Sequence, residues 1–247
     1  MESVLDRVIK QNTENVNLLK TKDYNIFSVL QIQSKEVLIC RMIADLLNPR
    51  GQHGAGAEYL KIFLRDCLGI EKMDTKLADQ AIVTAEYAID DERRIDIVIE
   101  IGSYFLPIEV KIYAADQKSQ CFDYYQYAKR RDAQAKVYYL TLDGHRPGKD
   151  STSSGSQSVP EEDIVCLSFR EHILNWLKAC KSCENTGMVP ILEQFIRNIE
   201  QISGYTSERV RNIVIDELLT SGDSLRAGMQ IADSINAAKA KRFCSKF

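Results

Sequence analysis

Two runs in the middle of the chain alternate apolar and polar residues with the period of a β-strand. In the first, Ile95, Ile97, Ile99 and Ile101 fall on one face and Arg94, Asp96, Val98 and Glu100 on the other. In the second, Leu106, Ile108, Val110 and Ile112 oppose Pro107, Glu109, Lys111 and Tyr113. The pattern predicts strands over 94–101 and 106–112, joined as a hairpin across Gly102-Ser103-Tyr104-Phe105, with the charges gathered on one side. Further strands are predicted over 81–89, 136–142 and 164–168. Helical periodicity covers 3–20, 34–47 and 57–68, the last carrying Leu60, Phe63, Leu64 and Cys67 as an apolar stripe. It returns over 116–131 with Asp116 as N-cap. The Gly-, Ser- and Pro-rich stretch 143–163 is expected to be a mobile loop, and the remainder reads as helix with breaks at 187–190 and Gly204.

Composition narrows the class. At 247 residues and 45% hydrophobic content the chain can bury a sizeable core, and a single domain is expected, with a core over about 34–168 and a helical C-terminal region over about 169–247. No apolar run approaches the roughly 18 residues of a membrane span, and MESVLDRVIKQNTEN lacks the apolar stretch of a signal peptide. Seven irregularly spaced cysteines read as reduced thiols, which together with the absent leader predicts a cytoplasmic protein away from any membrane. A net charge of −3 argues against a protein coated in positive potential while leaving room for a local basic groove. Arg93 with Arg94, Lys129 to Arg131 and the tail KAKRFCSKF are the basic clusters, each equally at home on a solvated surface.

The hairpin charges carry the candidate chemistry. A turn centred between Ser103 and Tyr104 sets Asp96 opposite Lys111 and Glu109 opposite Val98. Asp96 and Glu109 are then diagonal neighbours on one face, roughly 7–8 Å apart at the backbone. Two carboxylates so placed can converge on one hard cation, Mg²⁺ or Mn²⁺, with Lys111 beside them. Out of context the same residues make an ordinary salt-bridged hairpin with one wet face.

Their spacing resembles the PD-(D/E)XK nuclease superfamily: Asp96, twelve intervening residues, then Glu109-Val110-Lys111, with a helix directly after. In that helix Gln120-x-x-x-Tyr124 is similar to the Q-x-x-x-Y element of the superfamily's RecB-type branch. The resemblance spans about 34–142, and Ile95 stands where the family name implies proline. It implies a restriction-endonuclease-like α/β core, a central mixed sheet flanked by helices. It also implies Mg²⁺-dependent phosphodiester hydrolysis of nucleic acid, with DNA the expected substrate, Mn²⁺ able to substitute, Asp96 and Glu109 as metal ligands and Lys111 orienting the attacking water or stabilising the charge that builds on the phosphorane oxygens. An acid from an early helix commonly joins such sites, and Glu36 in SKEVLICRMIADLLNP fits, being aligned with Cys40, Ile43 and Leu47 on the buried side; a helix N-terminal acid favoured by the dipole explains it equally well.

Other candidates are weaker. Gln117, Gln120, Tyr124, Tyr127 and Arg131 share one helix face that suits phosphate contacts or simple solvation, and His53 in NPRGQHGAGAEYL is a candidate nucleic-acid contact. Glu86 is a possible further carboxylate, Glu100 reads as an exposed strand acid, and Cys180-x-x-Cys183 has no partner pair for zinc. A catalytically idle nuclease fold, or one acting on RNA or on modified or branched DNA, shares every one of these features.

Overall fold

The computed structural model describes residues 24–183, 187–204, 215–216, 218–230 and 232; the helix expected over 3–20 and the basic tail lie outside them. The chain divides into a compact unit, Asn25–Ser203, and a second formed by Met1–Tyr24 with Gly204–Phe247. In the second, residues 222–230 are helical, and Ser221 Oγ caps them by accepting the Ser224 N–H at 3.0 Å. Among the described residues no helix is long and apolar enough to cross a membrane.

The larger unit is built on a five-stranded mixed sheet in the order β1-β2-β3-β4-β5. The strands are β1 (Ile82–Ala88), β2 (Arg94–Ile101), β3 (Tyr104–Lys111), β4 (Val137–Thr141) and β5 (Ile164–Ser168). β1 to β3 form an antiparallel meander, while β4 and β5 add in parallel. The helices are α1 (Glu36–Leu47), α2 (Glu58–Asp66), α3 (Gln120–Arg131), α4 (Leu174–Lys181) and α5 (Val189–Ile202). α3 is the crossover that a parallel β3–β4 pair requires. Its Tyr124 and Ala128 pack with Ile95, Val98, Phe105 and Val137 into one cluster, so the sheet's charged face is covered and not wet. β3 is buried from Phe105 to Lys111.

Four expectations need correction. The mobile loop over 143–163 instead carries a helical turn (Lys149–Thr152), a two-strand ribbon (Ser153–Ser154 with Gln157–Ser158) and a 3₁₀ turn (Glu161–Asp163). Val159 and Ser151 are buried there, and Asp163 accepts from Tyr125 Oη at 2.7 Å and pairs with Lys129 at 3.2 Å. Asp116 is not the cap of α3, which starts at Gln120. Its carboxylate is taken by Tyr139 Oη at 2.6 Å and the Gly148 N–H at 2.7 Å, two donors fixed by tertiary contact. The hairpin turn is Gly102–Ser103, closing on Ile101↔Tyr104, with Gly102 at φ +56° as a primed turn demands. The helix expected over 57–68 ends at Asp66.

The remaining helices seal the ends. Trp176 of α4 is fully buried, donates its indole N–H to Tyr59 O at 2.8 Å, and meets Phe63 edge-on at 5.3 Å between centroids. α5 grips the segment ahead of α1: Asn198 Nδ2 donates to Gln33 O at 3.0 Å, and Phe195 stacks on Phe27.

Candidate active site

The register of the central hairpin decides who meets whom. The pairs run from Ile101↔Tyr104 to Ile97↔Ile108, so the turn is centred one residue earlier than the sequence suggests. Each facing position therefore moves by two. Asp96 stands toward Glu109 and not toward Lys111, while every side chain keeps its face because the shift is even. On its other side, β2 pairs with β1 at Ala85↔Ile97 and Tyr87↔Ile95 and omits the Glu86–Asp96 step between them. Glu86 sits there at φ +54°, a conformation that non-glycine residues rarely adopt. With the ladder interrupted, the Asp96 carboxylate turns along the sheet, and its Oδ2 accepts the Val110 N–H at 2.8 Å.

Glu109 is the most confined of the acids, at 1% exposure. Lys111, two residues on along the same face, lies with Nζ 2.5 Å from Glu109 Oε1. This is a close ion pair between two buried side chains. Burial pushes the Glu109 carboxyl well above the ordinary carboxylate range; the charge of Asp96 adds to this and Lys111 opposes it. Burial also raises Asp96, against the pull of the Val110 N–H. For Lys111 burial works toward neutrality, but Glu109, Asp96 and Glu36 outweigh it and hold the ammonium charged.

Glu36 opens α1, and its Oε2 accepts the Ile112 N–H at 2.8 Å, tying the first turn of that helix to the exit of β3. One turn along α1, Cys40 is buried, and its thiol is held strongly protonated by burial and by the charges of Asp96, Glu36 and Glu109. The structure thus brings Asp96, Glu109, Lys111 and Glu36 into one neighbourhood. The i+4 spacing that aligned Cys40 with Glu36 on the buried side of the helix thus places the thiol beside the acids.

The candidate nucleic-acid contacts are buried, and Tyr124 stands close enough to Glu109 and Asp96 to feel their charges. Gln120 and Tyr124 do not form a surface face: they are buried, Gln120 Nε2 donates to Tyr124 Oη at 3.0 Å, and that hydroxyl donates to Arg94 O at 2.5 Å. They brace β2 against α3, because a helix that crosses the charged side of a sheet must bury the face it turns toward it. His53 is buried at 3% exposure as well. Its Nδ1 accepts the Ala55 N–H at 3.0 Å, Nε2 lies 3.0 Å from Asn48 O, and the ring stacks on Tyr59, so it fastens the loop between α1 and α2. Gln117 receives Arg93 Nη1 at 2.8 Å, and Arg131 pairs with Glu100 at 2.6 Å. Arg93, noted in the sequence only as half of a basic pair, also reaches Asp123 at 3.0 Å and Lys118 O at 2.6 Å and so anchors the approach to α3. Glu86 is engaged by Arg41 at 2.6 Å.

The donor set suits a small hard cation. Burial and the charge of Asp96 both raise the Glu109 carboxyl against the pull of Lys111, and a further cation beside the two carboxylates would relieve that cost. Among the described residues no three Asp, Glu, His or Cys side chains form a ready-made cage. Mg²⁺ does not ask for one, since it is held by one or two carboxylates and completes its octahedron with water and phosphate oxygens.

In comparisons with known proteins, a family model for the PD-(D/E)XK nuclease superfamily matches residues 24–198. No curated protein and no solved structure gave a significant match.

Proposed function

We propose that this chain, which belongs to the PD-(D/E)XK nuclease superfamily, hydrolyses phosphodiester bonds of DNA with the help of a bound divalent cation, Mg²⁺ or Mn²⁺. The observation that carries the reading is a pair of neighbouring, largely buried carboxylates, Asp96 and Glu109, the second at 1% exposure and ion-paired to Lys111. Asp96 and Glu109 would hold the cation, with Glu36 assisting from the first turn of α1. When bound, such a cation polarises a phosphoryl oxygen and acidifies a water.

The chain's own residues supply the rest. Lys111, kept charged by its acidic neighbours, is placed to orient the attacking water and to offset negative charge as one phosphorus–oxygen bond forms and another breaks. The Glu36–Ile112 hydrogen bond fixes the β3 exit that carries Lys111. Tyr124, through Arg94 O, fixes the start of the strand that carries Asp96. The thiols of Cys40, Cys67, Cys121, Cys166, Cys180 and Cys183 are free, which suits a reducing, cytoplasmic setting.

The test is incubation of purified protein with plasmid, linear duplex, single strands and RNA, with and without Mg²⁺ or Mn²⁺, beside Lys111→Ala as a control for contaminating nuclease. Metal-dependent DNA cleavage lost in Lys111→Ala is the expected result. Tight DNA binding indifferent to EDTA, with no cleavage, would replace the reading with an idle nuclease fold.

A further inference from the structure

We propose that Lys35, Arg94 and Lys118 hold backbone phosphates next to the scissile one, so that this centre grips a polynucleotide strand by its phosphates, whatever its base sequence. The inference rests on the nuclease reading above and names the residues that hold its substrate.

Three chain segments meet at the open end of the central hairpin, where β2 begins and β3 ends, and each brings one exposed cation. Lys35 directly precedes Glu36, whose carboxylate holds the Ile112 N–H one residue beyond Lys111. Arg94 starts β2 two residues before Asp96, and its carbonyl accepts the hydroxyl of Tyr124, which feels the charges of Glu109 and Asp96. Lys118 is fastened beside Arg94, because its carbonyl accepts Arg93 Nη2 at 2.6 Å.

The charge of these three is not used by the fold. Neighbouring cations are engaged: Arg41 with Glu86, Arg93 with Asp123 and Arg131 with Glu100. Among the described residues the side chains of Lys35, Arg94 and Lys118 make no ion pair and no hydrogen bond. The acids nearest in sequence are turned to backbone donors instead, Glu36 to Ile112 and Asp90 to the Glu92 and Arg93 N–H groups at 2.9 and 2.7 Å. Helix stability does not call for the lysines either. Lys35 is the residue ahead of α1 and Lys118 stands two residues ahead of α3, both at the positive end of a helix dipole, where a cation is disfavoured. Unpaired cations at the rim of a carboxylate cluster offset the repulsion that the cluster exerts on an incoming polyanion. Lys111 and the bound cation serve the scissile phosphate, which leaves the three rim cations to its neighbours. Contacts of that kind set position and carry no sequence information.

The experiment titrates labelled duplex and single-stranded oligonucleotides of unrelated sequences in Ca²⁺ over a series of salt concentrations. The proteins are wild type, Lys35→Gln, Arg94→Gln, Lys118→Gln, the charge-conserving Arg94→Lys, and Lys76→Gln as control. Lys76 is also exposed and unpaired, but it adjoins Leu77, which neighbours Gly102 at the closed end of the hairpin. Each of the three Gln variants at the rim should weaken binding about 5–10-fold at about 0.1 M salt, alike for all sequences. Each should also flatten the log–log salt dependence by about 0.9 on the duplex or about 0.7 on the single strand. Arg94→Lys and Lys76→Gln should keep the wild-type slope. In Mg²⁺ the rim variants should raise KM more than they lower kcat. Wild-type slopes in all three, or an equal flattening in Lys76→Gln, overturns the proposal and leaves the nuclease reading to its own cleavage test. A slope that depends on the three cations in a protein that cuts nothing supports the phosphate contacts and removes the nuclease reading instead.

Discussion

Lys111 and Glu109 form a buried pair whose two members have different tasks. On the proposed reading Lys111 acts on charge that appears only in the transition state, and removing such a donor typically costs on the order of 10²–10³ in rate. Lys111→Ala should therefore bind DNA in Ca²⁺ within a few-fold of wild type yet lose about that factor in single-turnover cleavage in Mg²⁺. Lys111→Arg should fail as well, since a planar guanidinium places its charge differently beside two carboxylates. Glu109 should betray itself through stability. Its carboxyl is raised above the ordinary value of 4.5 by burial, so without metal its contribution is fully present below that value and is lost as pH rises through the raised one. Glu109→Gln removes that loss. In EDTA the variant should gain stability relative to wild type as pH climbs from about 4.5, read as a growing difference in urea midpoint, while calorimetry shows its Mn²⁺ affinity collapsed. At this scale the acids and the lysine were legible in the sequence, because charge at period two inside apolar strands is uncommon and needs no neighbour to be noticed. The fates of Gln120, Tyr124 and His53 were not. A polar side chain at helical spacing reads the same whether it faces water or a strand carbonyl, and only the packing of α3 on the sheet sends the Tyr124 hydroxyl to Arg94 O.

Among the elements, the hairpin shows how little separates one register from another. Moving the turn centre by one residue moves every facing pair by two, from Asp96 against Lys111 to Asp96 against Glu109. Gly102 settles it, since its φ of +56° suits the first central position of a primed turn. Leu77 is its nearest neighbour, at 3.7 Å from where a Cβ would stand, so a side chain there meets backbone strain and not a clash. Gly102→Val should cost about 1–2 kcal/mol in chemical denaturation and Gly102→Asn less, because asparagine tolerates that region. In α3, Tyr124→Phe removes one buried hydroxyl that bridges Gln120 and Arg94, and should cost about 1 kcal/mol of stability. A loss of nucleic-acid affinity larger than the loss of stability would return Tyr124 to the substrate surface. Asp116 teaches the same lesson: aspartate ahead of a helix is a good cap, but a tyrosine hydroxyl and a glycine N–H brought by the fold outcompete the helix for it.

For the molecule as a whole, the sheet positions the site and the C-terminal helices hold the sheet's surroundings in place. Trp176 joins α4 to α2 with its whole side chain buried, so Trp176→Ala should destabilise the protein by about 3–5 kcal/mol and lower activity only through unfolding, with kcat per folded molecule kept. The sequence by itself determined the kinds and order of the longer helices and the five sheet strands between residues 34 and 168, the two-faced hairpin, the identity of the acids and lysine on its charged side, and through their spacing the family to which the chain belongs. These are properties of neighbours along the chain, carried by periodicities of two and of three to four residues, and such signals survive without knowledge of what packs on them. The tertiary structure decided the rest: the turn centre that sets Asp96 toward Glu109, the interruption at Glu86 beside the Asp96 carboxylate that accepts from Val110, and the covering of the charged face by α3. Each depends on groups far apart in sequence competing for the same donor or the same space, and that competition is resolved only when the chain is folded.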